Sequence, residues 1–167
     1  VEQNASRADV MVLSTDSLVY GGLVDSRKHN LPLSTLQTRL ARIKALKASH
    51  PTTQIYGFGT VMRSPRASGG GTEPAYYADY GPTIFQIAAL QDKLDAGNLT
   101  QAEATKLLSL QSQVPTEYLQ DWFNRREENM KVNKGLIDQA RENTFAYFAL
   151  GHDDTSQLSQ SAMEGRY

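Results

Sequence analysis

Four apolar residues in a row, Val10-Met11-Val12-Leu13, stand between the polar Asp9 and Ser14. A run this short, this apolar and this rich in β-branched residues reads as a strand buried on both faces, as in a parallel sheet under helices. A helix pattern follows. Ser34 and Gln37 have the spacing of a capping box, Leu36, Leu40, Ile43 and Leu46 repeat at helical intervals, and Pro51 ends the element. Gln54 to Met62 predicts a second strand, although Gly57 and Gly59 weaken it. Two helices come next, Thr83 to Ala96 and one that Thr100 and Glu103 open as a capping box and that runs to about Gln113, joined by a Gly97-Asn98 turn. Pro115 then starts a long helix to about Glu142, and Thr144 to Leu150 predicts a third strand. The order strand, helix, strand, helical hairpin, long helix, strand predicts an α/β fold. Its core is a parallel sheet of βα units with right-handed crossovers, Rossmann-like or a partial barrel, carrying an inserted αα-hairpin over residues 83–113.

Composition excludes several classes. The 167 residues hold 17 basic and 18 acidic side chains, a formal charge of −1, so no basic surplus points to nucleic acid or an anionic membrane. No apolar run is long enough for a membrane-spanning helix. Without cysteine there is neither a disulfide nor a thiolate zinc site nor thiol chemistry. That leaves the compartment open; a secreted or periplasmic location is favoured over the cytoplasm. The length suits one domain of roughly 150 residues or a fragment of a larger one. A chain that starts without Met and stops at Gly165-Arg166-Tyr167 suggests a piece of a longer protein.

Parallel sheets and barrels place their ligands at the carboxyl ends of the strands. The three predicted strands release Asp16, then Arg63, then His152 with Asp153 and Asp154. Asp16 suits a general base, a metal ligand or an acceptor for a sugar hydroxyl; the plainer reading is a cap on the turn that follows. Asp153 and Asp154 are neighbours, so an extended backbone sends them to opposite sides. Carboxylates at strand ends serve glycoside hydrolysis and equally Mg2+ or Ca2+ binding. Arg63 suits a carboxylate or phosphate, or an ion pair with Asp16 or Asp154. Ser68-Gly69-Gly70-Gly71 lacks the Gly-Lys-Ser/Thr ending of a phosphate loop and reads as a lid. Tyr76, Tyr77 and Tyr80 suit stacking on a sugar ring, or packing beneath the hairpin. His29 and His50 stand among basic residues and read as solvated, and Gly21-Gly22 matches no dinucleotide fingerprint. Arg125, Arg126, Glu127 and Glu128 read first as a charged helix face; the alternative is that Arg125 and Asn129, four apart on one face, reach the site together.

Several stretches form a recognisable set: Ser14 to Arg27 (STDSLVYGGLVDSR), Val61-Met62-Arg63, Glu73-Pro74 with Tyr76, Tyr77 and Tyr80-Gly81, Arg125 to Asn129, and Gly151 to Asp154. Together they resemble the bacterial domain-of-unknown-function family 4127, over most of the chain. The resemblance implies a portion of a longer protein and nominates Tyr20 and Arg27 beside the strand-end groups. It supplies no mechanism. The residues then suggest a hydrolase for a polar, carbohydrate-like substrate, with Asp16, Asp153 and Asp154 catalytic and Tyr20, Arg27, Arg63, Tyr76, Tyr77 and His152 binding. No cofactor is expected beyond a possible Mg2+ or Ca2+ ion. The alternatives are a sugar- or anion-binding domain without catalysis, and an assembly domain. The expected partners are a small polar ligand and either the rest of a longer chain or another copy, with no nucleic acid and no membrane.

Overall fold

A computed structural model describes residues 1–67, 71–153 and 156–166. The fold is α/β. Its sheet has three parallel strands in the order β1 (Val10–Ser14), β2 (Gln54–Val61) and β3 (Tyr147–His152). The helices are α1 (Thr15–Val19), α2 (Leu33–Ser49), α3 (Tyr77–Asp95), α4 (Gln101–Gln111), α5 (Thr116–Arg141) and α6 (Gln160–Glu164). The chain packs as two compact units, residues 1–60 with 128–151 and residues 61–127 with 152–167.

In the first unit β1 pairs with β2 from Val10 opposite Gln54 to Ser14 opposite Phe58. Met11, Leu13 and Ile55 point to one face, where Leu36, Ile43 and Leu46 of α2 and Val132 and Leu136 of α5 cover them. Gly57 belongs on this face: a Cβ there would stand 2.7 Å from the Phe145 ring, so the residue that weakens strand propensity is what lets the ring approach the strand backbone. The expected burial of β1 on both faces is wrong. Val12 is 69% exposed, and Val10, Tyr56, Phe58 and Tyr147 are exposed with it. Topology supplies the reason. Strands that advance in one direction through right-handed crossovers carry all their connecting helices on the same face.

Three boundaries also move. Ser34 does not cap α2; Pro32 is the N-cap residue and no side chain bonds there. The Thr35 and Leu36 N–H groups both donate to Pro32 O, at 2.9 and 3.2 Å, so the first turn closes on backbone alone. β3 starts three residues beyond Thr144, because the turn that closes α5 runs from Glu142 through Thr144. Asn143 turns left-handed at φ 62°, and the Thr144 N–H donates to the Gln139 carbonyl at 2.9 Å, the bond that closes a helix with a left-handed residue. Pairing then opens at Ala146 N–H, which donates to Ile55 O at 2.7 Å.

In the second unit α3 begins at Tyr77, six residues before the expected Thr83, and takes in Pro82. One backbone hydrogen bond is forfeited there. Packing compensates: Tyr77 is wholly buried, its ring lies 4.7 Å from that of Trp122, and its hydroxyl donates to Pro65 O at 2.8 Å. Met62, Ile84, Ile87, Leu107, Leu110 and Val114 complete this core, which α3, α4 and the first part of α5 enclose. The Thr100–Glu103 capping box at the start of α4 is present with both of its arms.

Candidate functional site

The end of β1 is built by its own side chains. Ser14 caps α1, its Oγ accepting from Ser17 N–H at 3.3 Å. Thr15 Oγ1 donates to Phe58 O at 3.0 Å and ties the turn to β2. The cap role considered for Asp16 therefore falls to Ser14, and the buried Asp16 carboxylate turns to β2, where Thr60 Oγ1 donates to its Oδ2 at 3.2 Å. One turn later Tyr20 is 7% exposed, and its hydroxyl has no hydrogen-bond partner among the described residues. Burial, and then the charges of Asp16 and Glu128, push that phenol well above the ordinary tyrosine range. Gly21 turns the chain away at φ 110°, a conformation that favours glycine.

His29 is not solvated as expected. Its ring stacks on Tyr20 with centroids 5.1 Å apart, and its Nε2 lies 2.8 Å from Asn129 Oδ1. Leu31 N–H donates to His29 Nδ1 at 3.3 Å, which makes Nε2 the protonated nitrogen of a neutral ring. Asn129 in turn donates to Ser26 O at 2.8 Å. The chain Leu31, His29, Asn129, Ser26 thus holds the segment that carries the buried Arg27. No local pattern signals the His29–Asn129 pair, whose members lie 100 positions apart.

The second unit holds the other expected residues, largely in structural roles. Arg63 pairs with Glu73: its Nε and Nη2 donate to Oε1 of that buried carboxylate at 2.8 and 2.6 Å, and Nη2 also donates to Thr72. Tyr76 donates to Asp121 at 2.6 Å and stacks on Tyr118, and Tyr77 is core. Burial and the Asp121 carboxylate raise the Tyr76 phenol as well. Arg125 also pairs with Asp121, so of the two residues expected to act together only Asn129 lies in the first unit. His152 ends β3 exposed, and Asp153 N–H donates to Val61 O at 3.4 Å. Asp154 and the lid residues 68–70 lie outside the described residues. Arg126, read in the sequence as part of a charged surface, is 1% exposed. Its guanidinium donates to both oxygens of Glu164, each at 2.7 Å, and to the carbonyls of Met62 and Arg63. Its position four residues after the buried Trp122 was the available signal.

Among the described residues no three His, Asp or Glu side chains come together as a metal-holding group, and no helix is long and apolar enough to cross a membrane. The family model described as protein of unknown function, DUF4127, matches residues 1–167, the whole chain. The chain is a DUF4127 member. No curated protein and no solved structure matches this DUF4127 chain.

Proposed function

We propose that this DUF4127 chain binds and hydrolyses a small polar substrate of the carbohydrate class at the carboxyl end of β1. The observation that carries the reading is the nearness in sequence, one helical turn apart, of two buried polar groups: Asp16, released from capping duty by Ser14, and Tyr20, whose hydroxyl has no partner among the described residues. A buried hydroxyl left unsatisfied costs about 1–3 kcal/mol, a penalty that a hydrogen-bonding ligand removes. In this reading Asp16 exchanges a proton with the scissile oxygen or its water, and Tyr20 bonds a substrate hydroxyl. Glu128, whose charge also bears on Tyr20, supplies the second carboxylate that glycoside cleavage requires. Arg27 orients the substrate.

The test is a panel of chromogenic glycosides with the intact chain and with Asp16→Asn, Glu128→Gln, Asp153→Asn and Asp154→Asn. Loss of turnover in Asp16→Asn with unchanged thermal unfolding supports the reading. Equal turnover in Asp16→Asn and the parent chain refutes it. A second reading, binding without catalysis, is favoured by Asp16 itself, whose Oδ2 already accepts from Thr60 Oγ1. In that case calorimetry detects sugar binding that Asp16→Asn weakens, with no turnover by the parent chain.

A further inference from the structure

We infer that the first unit carries a separate site for a small amphiphilic carboxylate, one anionic head on a short aliphatic body, in a cavity against α2. The cavity encloses about 280 Å3, near the lower end of the range for small-molecule sites. Its floor is apolar, from Leu18, Ile43 and Leu46, and its rim carries Glu2, Arg39 and Arg42. A second hollow of about 330 Å3 adjoins it, lined by both arginines with Ser34, Thr35 and Thr38. Arg39 therefore stands between the two.

The two arginines differ in their partners. Arg42 is matched by Glu2, with Nε to Oε1 at 2.9 Å and Nη2 to Oε2 at 2.8 Å. That bidentate pair neutralises the one carboxylate of the rim. Arg39 is half-buried and spends one N–H on Val19 O at 2.7 Å, and no carboxylate pairs with it among the described residues. A guanidinium removed in part from water and left without a counter-ion is unfavourable, and its planar fork fits a carboxylate. Net positive charge at the rim above an aliphatic floor selects one chemistry. The head must be an anion and the body must be apolar. A sugar fits neither requirement, so this site is distinct from the one at the end of β1.

The probes are hexanoate, acetate and hexylamine, titrated into the full chain and followed by amide shifts in NMR spectra. Hexanoate is expected to saturate a single site, with the largest shifts at Leu18, Arg39, Ile43 and Leu46. Acetate lacks the body and hexylamine carries the wrong charge, so each should bind at least about tenfold more weakly. Arg39→Gln should weaken hexanoate by at least about tenfold and leave 1-hexanol unchanged. Arg39 also ties down the Val19 carbonyl, so the contrast between hexanoate and hexylamine on the parent chain decides the matter even if the variant unfolds. Equal binding of those two probes, or no saturable hexanoate shift at millimolar concentration, overturns the site.

Discussion

Tyr20 and Arg126 are both removed from water, one with an unmet hydroxyl and the other enclosed by acceptors, and substitution should separate them. Tyr20→Phe deletes an oxygen that bonds none of the described residues, so unfolding in urea should shift by less than about 0.5 kcal/mol, or towards greater stability. If the hydroxyl contacts substrate, the same variant loses turnover while its stability holds. Arg126→Met keeps most of the volume against Trp122 but takes the guanidinium from the Glu164 carboxylate and leaves the Met62 carbonyl with the Ser161 hydroxyl. Breaking a buried ion pair from one side destabilises by roughly 3–5 kcal/mol, which the urea midpoint will report. A midpoint within experimental error of the parent chain would show that Arg126 is hydrated and the ion pair weak.

At the scale of elements, α4 offers a pH measurement. Glu103 accepts from Lys93 and from the Thr100 backbone and hydroxyl, and these bonds lower its pKa from 4.5 to about 2. A carboxyl depressed in the folded state adds stability above its unfolded pKa and loses it as the pH falls. The contribution of Glu103 should therefore be intact above about pH 4.5 and fade between there and about pH 2. Glu103→Gln should flatten the acid side of the unfolding curve across that window. A slope equal to that of the parent would place the acid sensitivity elsewhere. Thr100→Ala removes the other arm of the box and should cost about 1 kcal/mol in thermal or urea unfolding. This box was legible in the sequence because its residues lie three apart and require nothing from elsewhere. The Ser34–Gln37 spacing looked the same and failed, because Pro32 already served as the helix entrance.

For the molecule as a whole, the consequence of the strand order is a bare sheet face. Val12 and Phe58 sit on it with Val10, Tyr56 and Tyr147, all exposed, and contiguous apolar surface of this kind binds hydrophobic dyes. The double variant Val12→Thr with Phe58→Thr should lower the fluorescence of bound anilinonaphthalene sulfonate. It should move stability by no more than about 0.5 kcal/mol per site, since neither side chain belongs to the packed core. An unchanged dye signal would mean that the face is covered in solution.

Local chemistry determined what the sequence could reveal by itself: three strands and the helices between them, the long α5, the α4 cap, and Asp16 and Arg63 at strand exits. Each depends on periodicity, on turn residues, or on groups within a few positions. Which face of β1 is buried, that Arg63 takes Glu73, that His29 stacks on Tyr20 and holds Asn129, and that Arg126 is buried were decided by tertiary structure. A partner is a matter of distance in space, and chain closure brings together residues that sequence separation and local propensity leave unrelated. A run of four apolar residues states only that a strand can be buried; the order of the strands and the hand of their crossovers decide on which side.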